Sequence, residues 1–219
     1  MGIDAHNVYV STNEFTGDLR SFNGAQLYAV AKSQLVAGAR HVNTVFFPNL
    51  AVAGAPAYHV QPANTYGSAR AEYLMSSLDP NGTFDQRLAV WAVTNTRAVA
   101  SGRGTPTLSV RVIRSEAYAT PPNAQTPPGF CSGTLCGKNG TPTTGVVQTD
   151  FDAMQEVQYI NGQLVGALNT GLTIAGDTGQ RAGAAWFVVR PTLSGPHIGS
   201  GTRVTRQGYV AQRGEYLLR

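Results

Sequence analysis

Short apolar stretches, some alternating with polar residues and some continuous, recur along the whole chain and are separated by Gly, Pro, Asn and Asp. Stretches of this length and spacing are typical of β-strands rather than helices. The predicted strands are residues 7–11, 26–32, 42–47, 58–61, 72–76, 87–94, 108–115, 157–160, 163–169, 184–190, 202–210 and 215–218. Only residues 33–39 and 152–156 have a pattern that suits turns of helix. The chain is therefore predicted to be an antiparallel all-β protein.

Three of these strands form an internal repeat. GAQLYAVAK, RLAVWAVTN and GAAWFVVRP align on Tyr28, Trp91 and Trp186, and each has a related strand before it and another after it. A small sheet of three or four strands must stack on similar sheets to bury both faces, as the blades of a β-propeller do. The repeat predicts a single propeller-like domain of about three four-stranded blades, at roughly residues 1–70, 71–150 and 151–219. A plain β-sandwich is the alternative.

Composition and charge exclude several other classes of protein. The chain has 219 residues, of which 42% are hydrophobic and 13% are charged. The length and the hydrophobic fraction are enough for a buried core. The charged fraction is too low for a disordered tail or a coiled coil. No apolar run reaches the roughly 18–20 residues that cross a bilayer as a helix. A membrane span is therefore not expected. The net charge of +4 comes from arginines that are scattered singly along the chain, so a nucleic-acid partner is not expected either.

One turn carries a resemblance to a known family. The segment SSLDPNGTF at residues 76–84 resembles the Asp-box of sialidase-like β-propellers, in which the aspartate accepts backbone N–H groups across a tight turn. A weaker copy lies at residues 177–179, DTG. Wider stretches such as STNEF, FNGAQLYAV and VQYINGQLVGALNT look like a group of large secreted bacterial proteins with propeller-type repeats. The resemblance implies a propeller fold, but it implies no particular reaction.

The number of repeats predicts association. Closed propellers usually have four to eight blades, and this sequence supplies only about three. Either the chain is part of a longer protein, or copies associate so that two three-blade halves complete a ring. An open wedge would leave sheet faces and edges exposed, which favours association. We therefore expect a homodimer or another homo-oligomer.

The cysteines and the start of the chain indicate the compartment. Cys131 and Cys136 lie in a Gly/Ser/Thr/Asn-rich segment and could close a small disulfide ring, as in many exported proteins. Free thiols, a metal half-site or a redox pair are the alternatives, although no neighbouring ligands complete a zinc site. The start MGIDAHNVYV lacks the basic and apolar regions of a signal peptide. We interpret it as a cut within a longer, extracellular precursor.

Polar residues near strand ends are the candidates for a site at the mouth of a propeller channel. Glu14, Asn13, Asn169 and Asp79 offer oxygen ligands that suit a divalent cation such as Ca²⁺. Zn²⁺ is a second possibility, but no pair of histidines has a zinc-binding spacing. In the alternative interpretation, Asn13 and Asn169 only bond their own turns.

Other residues are candidates for catalysis or substrate binding. His59, Glu14, Glu116 and Tyr118 are the catalytic candidates, and Glu116 and Tyr118 would share one face of a strand. A sialidase-type site would pair a tyrosine with a glutamate and bind the substrate carboxylate with arginines. The arginine candidates are Arg20, Arg70, Arg87, Arg111 and Arg114. Asn13, Asn169, Trp91 and Arg114 are the predicted substrate-binding residues, and a purely structural role is the alternative for each.

Two functions of different kinds follow from these candidates. The first is an extracellular hydrolase of a glycoside, ester or phosphoester, with its site at the channel mouth and a possible divalent cation. The second is a non-catalytic module of a larger surface protein that binds a glycan or another protein. The first rests on fold-level analogy. Convergence of Glu14, Asn13 and Asn169 with a bound ion would favour the hydrolase, and an exposed aromatic platform without titratable groups would favour the binding module.

Overall fold

The computed structural model describes residues 1–18, 20–78, 82, 84–125 and 146–217. Strands make up 57% of the structure and helices 5%, which confirms the all-β prediction. The elements are β1 (Gly2–Ile3), β2 (Asn7–Phe15), β3 (Phe22–Ala31), α1 (Lys32–Val36), β4 (Thr44–Val52), β5 (Ala55–Pro56), β6 (Gln61–Tyr66), β7 (Ala71–Ser77), β8 (Asp85–Thr94), α2 (Arg97–Ser101), β9 (Thr107–Tyr118), β10 (Ala124–Gln125), β11 (Val146–Val147), β12 (Glu156–Ile160), β13 (Gln163–Thr173), β14 (Gln180–Arg190), β15 (Leu193–Ser194), β16 (His197–Ile198) and β17 (Arg203–Val210). Neither helix of the described residues has the length and apolar character needed to cross a membrane.

Three antiparallel meanders account for most of the strands. The first meander is β1 to β4 with the short β5, the second is β6 to β9, and the third is β12, β13, β14 and β17. The first strands of the meanders pair with one another in parallel, Ile3 opposite Asn64 and Ala63 opposite Val157. The large sheet is therefore mixed rather than purely antiparallel as predicted. Over the described residues it does not close into a ring.

The repeated aromatic residues fall on the third strand of each meander. Tyr28 lies on β3, Trp91 on β8 and Trp186 on β14. Trp91 is buried between the first and second meanders, and Phe187 is buried between the second and third. Side chains alternate between the two faces of a strand, so Trp186 faces the opposite side. The equivalent of Trp91 in the third meander is therefore Phe187, one residue beyond the position that the sequence alignment chose.

The second meander packs between the other two. Leu74 and Trp91 join Leu27 of the first meander in one hydrophobic cluster. Met75 and Val90 point the other way and join the third meander in a second cluster. Every residue of β7 is buried as a result. The first and third meanders each have one face covered by the second meander, and no strand of this stack covers their other face.

Several predicted elements differ from the structure. The helix expected at residues 33–39 is present as the five-residue α1, whereas residues 152–155 form no helix. Residues 215–217 are not a strand, and the strand expected at residues 58–61 begins only at Gln61. The sequence analysis missed β1 and all but the first residue of β6, because β1 is only two residues long and β6, QPANTY, lacks apolar alternation. These two missed strands provide the parallel contact between the first and second meanders.

Candidate functional site

A pocket of about 440 Å³ opens between the second and third meanders, where their first strands β6 and β12 end. We call it the tyrosine pocket. Its defining residues are Tyr73 and Tyr159, with Arg70 and Arg190 also in its lining. Tyr73 lies on β7 and Tyr159 on β12, so the pocket rests on the rigid sheet. Pockets lined by aromatic side chains with a few polar groups are the usual form of a small-ligand site.

The walls of the tyrosine pocket are turns that the local sequence specifies. Asn161 and Gly162 connect β12 to β13 with φ values of 50° and 79°. Two successive positive φ values are typical of a type I′ hairpin turn, for which Asn-Gly is the strongest sequence signal. Gly67, at φ 85°, turns the chain between β6 and β7. Pro191 follows Arg190 at the end of β14 and cannot donate a ladder hydrogen bond.

The two tyrosines form a close aromatic pair. Their ring centroids are 4.9 Å apart and their planes are tilted by 34°. Tyr73 is buried, with only 4% of its surface exposed, and Tyr159 is half-buried. Burial, with a smaller contribution from Tyr159, raises the pKa of Tyr73 to about 12, although Arg70 opposes the shift. Burial also raises the pKa of Tyr159, so both phenols are neutral hydrogen-bonding groups at physiological pH.

The arginines of the tyrosine pocket are exposed and free of acidic partners in the described structure. Arg70 and Arg190 both lie at the surface. Among the described residues, the salt bridges join Arg20 to Asp18, Arg87 to Asp85 and Arg181 to Asp177. Neither pocket arginine takes part in one. Two guanidinium groups therefore give the pocket a positive charge that neighbouring carboxylates do not neutralise.

No protein-family model, curated protein or solved structure matches this chain. What the pocket binds must therefore follow from its own side chains. Its combination of an aromatic pair and two guanidinium groups suits a ligand with both an apolar ring face and an anionic group.

A second, smaller pocket brings together two residues that the sequence singled out. It has a volume of about 190 Å³, and Ser11, Asn13, His59 and Gln61 contribute to its lining. The Asn13 Oδ1 atom accepts a hydrogen bond from the backbone N–H of His59 at 3.2 Å. Asn13 and His59, which the sequence named separately, thus lie next to each other, and the side chain of Asn13 supports the backbone of His59.

His59 has an unusual backbone conformation. Its φ is 41°, in the left-handed region that is uncommon for residues other than Gly, although His, like Asn and Asp, is enriched there. Burial lowers the pKa of its imidazole, and the charge of Asp150 partly opposes that effect. The imidazole is therefore predominantly neutral at pH 7. Strained backbone is often found at functional sites, which keeps His59 of interest.

The predicted cation ligands that the structure describes lie on two different strands, β2 and β13. Glu14 follows Asn13 on β2 and so faces the other side of the strand. Asn169 is buried on β13, where its Nδ2 donates to the carbonyl of Thr149 at 2.8 Å. Across the described ranges, no group of three or more His, Cys, Asp or Glu residues could hold a metal ion. Asp79 lies outside the described residues, as do Cys131 and Cys136, so the divalent cation and the disulfide stay predictions.

Glu116 and Tyr118 lie on the same strand, β9, as predicted. Tyr118 is buried, and its hydroxyl group bonds the protein backbone. The hydroxyl accepts the N–H of Leu78 at 2.8 Å and donates to the carbonyl of Arg87 at 2.6 Å. Glu116 is half-buried, and its N–H donates to Gln207 Oε1 at 2.8 Å. These bonds tie β9 to the β7–β8 region and to β17.

Trp91 and Arg114, two predicted substrate-binding residues, lie in different environments. Trp91 is 2% exposed, and its indole N–H donates to the Ser76 hydroxyl at 3.1 Å. Its ring packs in the core instead of facing solvent. Arg114 is exposed on β9, opposite Arg87 on β8, and it is not part of the tyrosine pocket lining.

A buried polar network near the end of β1 escaped the sequence analysis. Asp4 accepts hydrogen bonds from the N–H groups of His6 and Asn7 and from the Tyr9 hydroxyl. Glu72 is fully buried nearby, and its Oε2 accepts from the Thr65 hydroxyl at 3.1 Å. Among the described groups, Glu72 Oε1 has no hydrogen-bond partner. Burial, reinforced by the charge of Asp4, raises the pKa of Glu72 well above its ordinary value.

Proposed function

We propose that this chain is a saccharide-binding module and that the tyrosine pocket is its binding site. The observation that carries the proposal is the aromatic pair Tyr73–Tyr159 beside two exposed guanidinium groups, Arg70 and Arg190. Tyr73 is almost fully buried and supports the half-buried Tyr159, whose ring and neutral hydroxyl can contact the apolar face and the hydroxyls of a sugar. Arginine forms paired, charge-assisted hydrogen bonds with carboxylates. The ligand class is therefore an acidic saccharide that carries a carboxylate, such as a uronic acid.

We infer in addition that the three meanders are blades of a propeller-like repeat. Two features support this: the first strands lie side by side, and each meander packs face to face on the next. In such an arrangement the tyrosine pocket lies at one end of the inner strands. Ligand sites of propellers commonly lie near the ends of the central channel. An extracellular location would suit a saccharide-binding role.

Replacing either pocket arginine should weaken binding of acidic saccharides selectively. Arg70→Ala and Arg190→Ala are each expected to lower affinity for a galacturonic acid oligosaccharide about tenfold or more, because each removes a charge-assisted hydrogen bond. Isothermal titration calorimetry against this ligand, and against a neutral galactose oligosaccharide of equal length, measures the effect. The loss should shrink as salt is added.

Arg40→Ala provides the matched control, because Arg40 is exposed and lies outside the pocket. Its affinity should equal that of the unmodified protein. The proposal fails if the unmodified protein binds no acidic saccharide, or if Arg40→Ala weakens binding as much as the pocket variants do.

A hydrolase at the pocket of Asn13 and His59 is the second candidate function, favoured by the neutral imidazole of His59 and by its left-handed backbone. If His59 is a general base, the enzyme turns over a fluorogenic glycoside, ester or phosphotriester, and activity rises as the imidazole loses its proton. His59→Asn should lower that turnover about 100-fold or more, and Asn tolerates the left-handed backbone. Assays with and without a chelator test the predicted cation at the same time. If none of the fluorogenic glycosides, esters and phosphotriesters is hydrolysed, His59 is not a general base for these substrate classes.

A further inference from the structure

The first and third meanders each present an apolar face that no other strand of the described stack covers. On the first meander, Val10 of β2 and Phe46 of β4 lie on either side of Tyr28 of β3. The rings of Tyr28 and Phe46 stack with centroids 4.8 Å apart. Val10 is 37% exposed and Phe46 is 46% exposed. We call these three residues the first-meander face.

The third meander has a comparable row of apolar side chains, of which Val165 is exposed and Trp186 and Val188 are half-buried. Val165 of β13 lies opposite Val188 of β14, and Trp186 lies two residues before Val188 on the same side of that strand. Val165 is 38% exposed. The Trp186 ring lies over Gly208 of β17, where an added Cβ would come within 3.0 Å of the ring. We call Val165, Trp186 and Val188 the third-meander face.

These two faces are the unused halves of a contact that the chain already makes twice. The second meander buries its Trp91 side against the first meander, and the third buries its Phe187 side against the second. Tyr28 occupies the position on the third strand of the first meander that Trp91 and Phe187 occupy in the second and third. The first-meander face therefore corresponds to the side that the second and third meanders each bury against the meander before them. The third-meander face corresponds to the side that the first and second meanders each bury against the meander after them. The two faces lie at opposite ends of the stack, so one copy cannot join them to each other.

We propose that a second copy of this chain covers both faces, with the first-meander face of each copy packing on the third-meander face of the other. This head-to-tail contact repeats between copies the arrangement of meanders within one copy. In a two-fold dimer it forms twice, and every exposed apolar row described above becomes buried. Exposed apolar patches of this kind usually mark interfaces. A closed point group also prevents the open-ended growth that head-to-tail contacts otherwise allow.

Single charged substitutions test the contact. The unmodified protein should have twice the chain mass of 23.1 kDa by light scattering at micromolar concentration. Tyr28→Asp and Trp186→Asp should each give a monomer, because either change places a charge in both contacts of the dimer. An equimolar mixture of the two variants should restore a dimer, since one of its two contacts then contains only unmodified residues. A symmetric contact of like faces would not give that complementation.

Phe84→Asp is the control, because Phe84 is 69% exposed on the second meander, which contributes neither face. This variant should stay dimeric. Circular dichroism and thermal melting check that each variant is folded, and Phe46→Asp replaces Tyr28→Asp if the latter unfolds. An unmodified protein that is monomeric, or a dimer that survives both face substitutions, would overturn the proposal.

Discussion

Phe187→Ala is expected to lower the free energy of unfolding by about 3–5 kcal/mol, the range found when a buried phenylalanine is truncated. Phe187 is completely buried between the second and third meanders, in a cluster that includes Met75 and Val90. Removing its ring leaves a cavity that the two packed sheets cannot easily close. Urea denaturation followed by tryptophan fluorescence gives the change. It should appear as a lower midpoint with little change in the slope.

Phe84→Ala makes the same chemical change at an exposed position and is the natural comparison. Its side chain is 69% exposed, so the free energy of unfolding should change by no more than about 0.5 kcal/mol. Equal losses in the two variants would contradict the assigned facing of β14. They would also show that Phe187 does not occupy, in the third meander, the buried position that Trp91 occupies in the second.

Glu72→Gln should make the protein more stable above neutral pH, by about 1–3 kcal/mol, the usual cost of an uncompensated buried polar group. Burial and Asp4 raise the pKa of Glu72 in the folded state, so the folded protein binds a proton more tightly than the unfolded chain. Stability from this group is full below the unfolded pKa of about 4.3 and falls as the pH rises above it. Glutamine resembles the protonated acid and does not titrate, so the variant lacks that loss.

Thermal unfolding measured between about pH 4 and pH 8 checks the sign of this effect. The advantage of Glu72→Gln should grow steadily with pH. Glu215→Gln, at an exposed residue, should follow the unmodified protein throughout. A variant whose destabilisation grows as the pH rises would show that Glu72 serves as a charged partner and not as a buried neutral acid.

The sequence predicted the fold where apolar side chains define it. Tyr28 and Trp91 lie on strands with a neighbour before and after them, as predicted, and the structure makes each of these the third strand of its meander. The third repeat was aligned one residue early, because Trp186 and Phe187 are adjacent aromatics and local sequence cannot tell which of them is buried. The strand β6 escaped prediction since its neighbours in the sheet, and not its own side chains, hold it in place.

The candidate site was harder to predict than the fold. Asn13 and His59 were named from sequence and do share a pocket, but Tyr73, Tyr159 and Arg190 were not named. Arg70 was one of several arginines considered for a substrate carboxylate. The tyrosines belong to different meanders and meet only through the parallel pairing of β6 with β12. A missed strand therefore hid the pocket, although the Asn161-Gly162 hairpin turn next to it was a readable signal.

The stacking of meanders has a consequence for synthesis. Strands within each meander are neighbours in sequence, so each meander can form as soon as it leaves the ribosome. The first meander then emerges with Leu27 and Leu50 uncovered, because the second meander that buries them is made later. During that interval a nascent chain exposes two apolar faces instead of one. Chaperone binding and aggregation during translation should therefore concentrate on chains that have completed β4 but not yet β8.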